Sequence, residues 1–304
     1  MKKDAPKQSA KPIQPSLLEI VERFPSEEKC IAHFERIRWP HGLACIRCGA
    51  MRIHKFDQAG KTGKMRHLYY CPDCDYQFSV TTGTIFHDSH IPLRKWFIAI
   101  YLICTAKKGI AALRLQEYLG LGSYRTAWYI AHRVRLAMGE DSDFATKFSG
   151  IVEADETYIG GTRKGLHGRG SANKIPVVGI REKTSGKVRL QAVKDCSSHV
   201  LAEFIRKHVQ GGSTLHTDEW RGYAWLDSSE FAHKTVRHNR TYVTPAGVHT
   251  NGIENVWSLF KRAVMGTFHK VSAKYLALYL DEFSFRFNNR SESDLMDKLL
   301  SAGC

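Results

Sequence analysis

Two pairs of closely spaced cysteines limit the folds open to this chain more than any other feature. They lie in "CIRC" at positions 45–48 and "CPDC" at positions 71–74. Two C-x2-C pairs at such a distance supply four thiolates for a tetrahedral zinc site. The segment between them has strand-like ends around a glycine-containing turn, as in a zinc ribbon. We therefore predict structural Zn²⁺ held by Cys45, Cys48, Cys71 and Cys74, with a redox pair or chance spacing as the alternative.

The expected cellular setting favours a metal over disulfides at these cysteines. The first residues, "MKKDAPKQSAKPIQP", carry positive charge but lack the apolar segment of a signal peptide. The longest apolar run, residues 96–106, has about half the length that a membrane span requires. We expect a cytoplasmic protein with no membrane partner, and thiols stay reduced in that compartment.

The balance of charge indicates a polyanionic partner. The chain has 45 Lys and Arg residues against 30 Asp and Glu residues, a net charge of +15. Excess positive charge along the whole chain favours nucleic acid as the partner, before a membrane surface. The alternative is a basic protein whose charge serves only its solubility.

Residues 91–148 have the punctuation of a helix-turn-helix segment. One apolar helix starts at Pro92, a second ends at Leu119-Gly120, and a short "LGLGS" turn precedes a third helix that Ser123 can cap. Near the start and on the exposed side of this third helix, the side chains available to a DNA major groove are Tyr124, Arg125, Trp128 and His132. The alternative is a small helical bundle without DNA contact.

From residue 149 the sequence changes to an α+β pattern. A strand rich in β-branched residues ends near Ile159, and two further strands flank a "KTSGK" turn. An amphipathic helix and a short strand follow, and Asp218 stands at the end of that strand. Residues 221–250 read as mostly loop, and two helices complete the segment. This order predicts an antiparallel hairpin beside a parallel strand.

Three carboxylates could meet in this layer. Asp155 lies on the first strand, Asp218 at the end of the fourth, and Glu254 in the first turn of a helix packed across the sheet. Carboxylate oxygens are the ligands that Mg²⁺ prefers, and two such ions support phosphodiester hydrolysis. The basic side chains that could hold the DNA backbone there are Arg163, Lys164, Arg169, Lys174, Lys261 and Arg262.

Each of the three acids also has an explanation without catalysis. Two glutamates, at positions 153 and 156, flank Asp155, so this strand could be a solvated, charged edge. Asp218 could cap the turn that follows it. Glu254 stands three residues after Asn251, which is the spacing of a capping box. Considered together, in this order and on a basic chain, the three acids favour a metal site over three separate explanations.

Several stretches resemble the zinc-ribbon-bearing DDE transposases of bacterial insertion sequences, of the ISXO type. They lie within residues 25–290 and read "RWPHGLACIRCG", "CPDCDYQFSVTTGTIFHDSHIPLRKW", "EADETYIGG", "HTDEWRGY" and "HTNGIENVWSLFKR". The resemblance implies an RNase H-like catalytic domain whose Mg²⁺ or Mn²⁺ is held by a triad of Asp155, Asp218 and Glu254. It also implies cleavage and strand transfer of double-stranded DNA by a homo-oligomer on the bacterial nucleoid. A nuclease without strand transfer and a non-enzymatic DNA-binding regulator remain open.

The predicted fold class is α+β multidomain, with an N-terminal zinc ribbon, a helix-turn-helix-like segment and an RNase H-like (DDE) domain. We expect a disordered basic tail at 1–15, a short helical segment at 16–40, the zinc ribbon at 41–90, a helical DNA-binding segment at 91–148, the catalytic domain at 149–290 and a C-terminal tail at 291–304.

Overall fold

The computed structural model describes residues 14–60, 65–140, 146–160, 174–237 and 243–303. Contacts within the chain divide it into two units. The first unit is Met1–Thr105 together with Asn289–Cys304, and the second unit is Ala106–Asn288. The helical segment expected over 91–148 is therefore shared between the two units, and the C-terminal residues return to the first.

The elements follow in chain order. The helices are α1 (Leu17–Arg23), α2 (Glu27–Arg38), α3 (Leu93–Thr105), α4 (Ala112–Leu119), α5 (Tyr124–Gly139), α6 (Ser198–His208), α7 (Asn251–Ala263), α8 (Leu276–Asn288) and α9 (Leu295–Ala302). The strands are β1 (His54–Ala59), β2 (Met65–Cys71), β3 (Tyr76–Phe78), β4 (Ile151–Ile159), β5 (Ile175–Glu182), β6 (Val188–Ala192), β7 (Thr214–Thr217) and β8 (Ala232–Thr235).

The first unit combines the ribbon strands with helices α1, α2, α3 and α9. Strands β1, β2 and β3 form one antiparallel sheet, as the zinc ribbon prediction requires. Ser26 caps α2 by accepting the N–H of Lys29, and Cys30 and Phe34 on this helix are buried. Edge-to-face aromatic pairs fill the space between the helices; their members are Phe24, Phe34, Phe86, Trp96 and Phe97.

The C-terminal segment, expected as a tail, contains helix α9 instead. Its apolar residues Leu295, Met296, Leu299 and Leu300 are buried in the first unit. Asp297 on its polar side accepts hydrogen bonds from Arg23 and from His33, both at 2.7 Å. Eight residues of amphipathic helix are too short to be stable alone, so these contacts stabilise it.

The second unit is built on a five-stranded sheet in the order β6-β5-β4-β7-β8. The hairpin β5–β6 runs antiparallel beside β4, whereas β7 and β8 run parallel to it. The predicted antiparallel hairpin and parallel strand are confirmed, and the parallel pair β4–β7 makes the Asp155 and Asp218 strands neighbours. Strand β8 was missed, because "AHKT" is a mostly exposed edge strand without apolar alternation.

Helices cover both faces of this sheet. One face packs against α6 and a 3₁₀ helix at Arg221–Ser228, through residues that include Val152, Ala154, Val178, Leu201 and Phe204. The other face packs against α7 and α8, through residues that include Val177, Leu190, Trp257, Phe260 and Leu280. Counted along the chain from β4, the strand order is third, second, first, fourth, fifth. This is the expected RNase H-like arrangement.

Helices α4 and α5 have the predicted helix-turn-helix order and belong to the second unit. Gly120 ends α4 in the left-handed conformation (φ 55°), and Ser123 caps α5. Tyr124 and Arg125 are exposed as expected. Two other candidates for DNA contact, Trp128 and His132, are not exposed in this way.

Trp128 is half-buried and His132 is buried, so the expectation of exposure was wrong for this pair. Their rings stack at 3.8 Å between centroids, and both meet Tyr275 edge to face. They therefore join α5 to the segment before α8.

No helix in the described part of the chain is long and apolar enough to cross a lipid bilayer.

Candidate functional site

An acidic centre forms where β4 and β7 lie side by side. Asp155 is on β4, and Asp218 directly follows β7. Because the two strands pair in parallel, with Glu153 opposite His216, their polar residues meet at one edge of the sheet. Oxygens of Asp155, Glu156 and Asp218 all lie within 4.8 Å of one another. Sequence reasoning paired two of these acids and assigned Glu156 only to a solvated edge.

Hydrogen bonds fix both aspartates of this centre. Asp155 accepts the backbone N–H of Glu156 at 2.9 Å and the indole N–H of Trp257, on α7, at 3.0 Å. Asp218 accepts the backbone N–H of Trp220 at 2.9 Å. Trp257 reaches the sheet because Gly179 has no side chain; a Cβ there would lie 2.5 Å from the indole ring. The aspartates are thus oriented by the protein itself.

Glu254 stands beside this centre in the first turn of α7. Its Oε1 accepts the hydroxyl of Thr250 at 2.7 Å. It lies outside the group of oxygens within 4.8 Å, yet near enough for its charge to act on Asp155. The predicted cap was wrong in detail: Thr250 is the N-cap, Asn251 is the first helical residue, and the cap side chain bonds Glu254 instead of a backbone N–H.

Burial is the main cause that raises the pKa of Asp155, to about 8, and the neighbouring charges of Glu156, Asp218 and Glu254 add to it. Carboxylates held this close repel one another. A divalent cation would relieve that repulsion, and clustered carboxylate oxygens are the donor set that suits Mg²⁺ or Mn²⁺. The acidic centre therefore fits a hard divalent cation.

Tyr223 lies beneath the acidic centre and is fully buried. Its hydroxyl donates to Oε2 of Glu156 at 3.1 Å. Burial raises the pKa of Tyr223 well above its ordinary value, and the acidic neighbours add to the shift. A buried, protonated phenol cannot attack DNA, so Tyr223 supports Glu156 and is not a nucleophile.

One of the predicted basic residues, Lys261, lies near enough to Asp155 for the two charges to interact. Burial lowers the pKa of Lys261, the charge of Asp155 opposes that shift, and the charge of Lys174 adds to it. Arg262 is exposed one residue further along α7, and Arg125 is exposed on α5. The other predicted basic residues, Arg163, Lys164 and Arg169, lie outside the described residues.

The four ribbon cysteines converge as predicted. Their sulfurs lie within 4.8 Å of one another, with 3.6 Å between Cys45 and Cys74 and 3.6 Å between Cys48 and Cys71. Burial opposes ionisation of Cys45, but the backbone N–H groups of Arg47 and Cys48 and the nearby thiols lower its pKa to about 7. Burial and the neighbouring thiols raise the pKa of Cys74, so full ionisation of the four thiols needs a cation such as Zn²⁺ to balance their charge.

Glu153 is the feature of the site that sequence reasoning misread most. It is completely buried, and it accepts the backbone N–H of Ile253 in the first turn of α7 at 2.8 Å. The alternation of β4 places it on the same face as Asp155, which was the available signal. A glutamate two residues from an aspartate on an apolar strand could have been read as inward-facing.

The fold and the two centres define a class of protein: a zinc ribbon joined to an RNase H-like core with a cluster of acids at its sheet edge. Residues 147–288 match the family model of the ISXO2-like transposase domain. Residues 25–77 match that of the transposase zinc-ribbon domain.

Two relatives extend this result. An uncharacterised transposase-like protein of Haemophilus influenzae is 33% identical over 117 residues, which cover 38% of this chain and 94% of that protein. An uncharacterised protein in transposable element ISH50 of Halobacterium salinarum is 27% identical over 282 residues, which cover 88% of this chain and 92% of that protein. The chain belongs to the family of ISXO2-like transposases.

Similar solved structures include two retroviral proteins. The simian T-cell lymphotropic virus intasome matches with a TM-score of 0.29 and 13% identity, over 56% of this chain and 67% of that one. The HTLV-2 integrase catalytic core domain in complex with magnesium matches with a TM-score of 0.23 and 15% identity, over 39% of this chain and 84% of that one. At these TM-scores the likeness supports no argument.

Proposed function

We propose that this transposase cuts DNA at the ends of an insertion sequence and joins the freed 3′ ends to target DNA. The observation that carries the proposal is the pair of Asp155 and Asp218 on adjacent strands, each oriented by a hydrogen bond from the protein. In the joining step the 3′-hydroxyl forms a new P–O bond in line, and the bond to the target's 3′ oxygen breaks. No covalent protein–DNA intermediate is needed.

Each acid has a distinct part in this chemistry. Asp155 and Asp218 would hold Mg²⁺ or Mn²⁺, Glu254 would complete the site from α7, and Glu156 would add negative charge from the opposite face of the sheet. A divalent cation supplies positive charge that activates the attacking oxygen and balances the leaving oxygen. Trp257 keeps one oxygen of Asp155 aligned through its 3.0 Å hydrogen bond.

The basic residues would bind the DNA backbone. Lys261, whose charge interacts with Asp155, is suited to the phosphate next to the scissile bond, and Lys174 and Arg262 are suited to neighbouring phosphates. Arg163, Lys164 and Arg169 would extend this contact, and Arg125 on α5 would bind a phosphate beside the major groove that this helix faces. The ribbon, with structural Zn²⁺, would brace the first unit. Because two element ends must be joined together, we expect a homo-oligomer on double-stranded DNA.

The test is a joining assay with purified protein. A labelled duplex from the DNA that flanks the gene is incubated with a supercoiled plasmid target, once with Mg²⁺, once with Mn²⁺ and once with chelator. Pre-cut duplexes with a free 3′-hydroxyl are run beside uncut ones, so that cutting and joining are scored separately.

We expect the label to become covalently joined to the plasmid with either Mg²⁺ or Mn²⁺. With chelator, no label should be joined. Cutting without joining, even from pre-cut ends, would favour a nuclease and contradict strand transfer. Specific binding without any metal-dependent chemistry would favour a DNA-binding regulator.

A further inference from the structure

We propose that Glu153 is a positioning residue: it fixes the first turn of α7 to β4 and thereby sets where Glu254 stands relative to Asp155. The inference rests on the proposed function, because it concerns the acids that would hold the cation. Glu153 itself is fully buried, and its carboxylate contacts groups of the protein on β5 and α7.

The two oxygens of Glu153 hold two different parts of the second unit. Oε2 accepts the N–H of Ile253 at 2.8 Å. Oε1 faces Nη1 of Arg181, on β5, and Nδ1 of His249, just before α7, each at 3.4 Å. The carboxylate thus joins β4, β5 and the start of α7 through contacts that need both oxygens.

Glu153 takes over the capping that the N-cap residue does not provide. The first N–H groups of a helix have no partner within the helix, and the N-cap Thr250 gives them no side-chain bond. A carboxylate from another element satisfies one of them and also complements the positive end of the helix dipole. The hydroxyl of Thr250 is then directed to Glu254, at 2.7 Å.

Gly252 makes this close approach possible. A Cβ at this position would lie 2.9 Å from Oε1 of Glu153, closer still to Oε2, and 2.5 Å from Nη1 of Arg181. Any larger residue would push the first turn of α7 away from β4. Since Glu254 is in that turn, its displacement would open the site without removing any acid from it.

The experiment measures cation binding and joining on two variants and two matched controls. Glu153→Gln keeps the size of the side chain but replaces one accepting oxygen by an amide N–H₂. That N–H₂ group must then face the N–H of Ile253 or the guanidinium of Arg181, which are themselves donors. Gly252→Ala keeps every polar group and moves the turn. Gly266→Ala adds the same methyl where nothing lies within 4 Å. Glu282→Gln disrupts a different buried carboxylate, which pairs with Arg135 at 2.6 Å.

The first readout is the Mn²⁺ concentration at half-maximal thermal stabilisation, and the second is the joining rate at saturating Mn²⁺. Partners that orient a metal ligand typically change affinity or activity by about 10- to 100-fold. We expect both test variants to raise the Mn²⁺ midpoint by about that factor and to slow joining. Gly266→Ala should match the wild type, and Glu282→Gln should lower the melting temperature without moving the Mn²⁺ midpoint.

The inference is overturned if both folded test variants keep the wild-type Mn²⁺ midpoint and joining rate. It is also overturned if Glu282→Gln raises the Mn²⁺ midpoint as much as the two test variants do. The change in midpoint would then reflect lost stability alone. A wild-type protein without any Mn²⁺ response or joining would instead contradict the proposed function, so the two failures are distinguishable.

Discussion

Asp155 is the side chain of the acidic centre that is affected by burial, by neighbouring charges and by hydrogen bonds at the same time. Burial and three neighbouring carboxylates raise its pKa to about 8, while the indole of Trp257 and the N–H of Glu156 hold its two oxygens. Ionised Asp155 is therefore costly in the metal-free protein and favourable once a cation binds. Both statements lead to measurements on single residues.

The raised pKa of Asp155 predicts a pH dependence of stability. The folded protein keeps this proton up to about pH 8, whereas the unfolded chain loses it near the ordinary aspartate value, so folding binds a proton in between. The metal-free wild type should lose stability as the pH rises from 6.5 to 8.5. Asp155→Asn should remove this contribution, and it should also abolish stabilisation by Mn²⁺. The check is a series of melting curves with and without Mn²⁺.

Burial lowers the pKa of His132 and that of His208 to about 4, so these histidines add a slope of opposite sign near pH 6.5, but they add it equally to the wild type and to Asp155→Asn. Equal slopes for the wild type and Asp155→Asn would contradict the strained acidic centre.

Trp257→Phe tests the hydrogen bond to Asp155 at the same scale. The phenyl ring keeps an aromatic side chain at this position but has no N–H to donate, and it lacks the distal indole carbons that pack against Gly179. We expect joining to slow by about 10- to 100-fold, and the free energy of unfolding to fall by about 1 to 3 kcal/mol through the lost hydrogen bond and the space left behind. Joining rates and denaturant melts provide the measurement. A variant that joins DNA at the wild-type rate would show that the indole contributes packing alone.

Two parts of the chain outside the acidic centre have expected roles of their own. They are the ribbon β1–β3, with its zinc site, and helix α5, with its DNA contact. The ribbon has a largely exposed first strand, and its four sulfurs converge within 4.8 Å. A sheet this small has little core of its own, so we expect bound zinc to supply much of its stability. Helix α5 instead buries one face inside the second unit, to which it belongs, and leaves Tyr124 and Arg125 exposed near its start.

The ribbon should depend on zinc. We expect Cys48→Ser to remove the bound zinc and the hydrogen-exchange protection of residues 65–78, because three thiolates hold the ion poorly. Cys30→Ser, at a buried cysteine outside the ribbon centre, should retain both. Metal analysis and hydrogen exchange measure these outcomes. Full zinc content in Cys48→Ser would contradict the four-thiolate site.

Helix α5 should contact DNA through Arg125. Each phosphate contact contributes about 0.9 to the slope of log affinity against log salt concentration. Arg125→Ala should therefore reduce that slope by about one and weaken binding. Arg206→Ala is the control, since that arginine is exposed on α6 and paired with Glu230. An unchanged slope for Arg125→Ala would support the helical bundle without DNA contact.

The whole molecule combines a net charge of +15 with an acidic centre. The overall positive field favours association with DNA, whereas the clustered carboxylates repel the phosphate that must approach them. A divalent cation bound at the centre would remove this repulsion, because it would reverse the local sign of the charge. Affinity for DNA should therefore need no metal, and chemistry should need it.

Local patterns were sufficient for much of this organisation. The cysteine spacing and the cap at Ser123 follow from neighbouring residues, whereas the place of the Asp218 strand beside β4 follows from the order of elements along the chain. What the sequence did not reveal depends on tertiary contact. Strand β8 is a short polar edge that only its neighbour identifies, and α9 is amphipathic but belongs to a distant segment of chain.

The same limit applies within the site. A capping box at Asn251 and Glu254 is a local pattern, yet the helix begins with Thr250 as its N-cap and receives Glu153 from a strand about a hundred residues away. The burial of Glu153 and the approach of Glu156 to Asp218 likewise depend on the packed sheet, not on local propensity.

The measurement that tests the central claim most directly compares joining rates of three single variants, Asp155→Asn, Asp218→Asn and Glu254→Gln. Glu219→Gln, the exposed neighbour of Asp218, is the matched control. Removing a metal ligand should cost more than removing its outer partners, so each of the three should lose more than about 100-fold in joining while still binding DNA. The control should join normally. A wild-type joining rate in any one of the three would contradict the proposed triad.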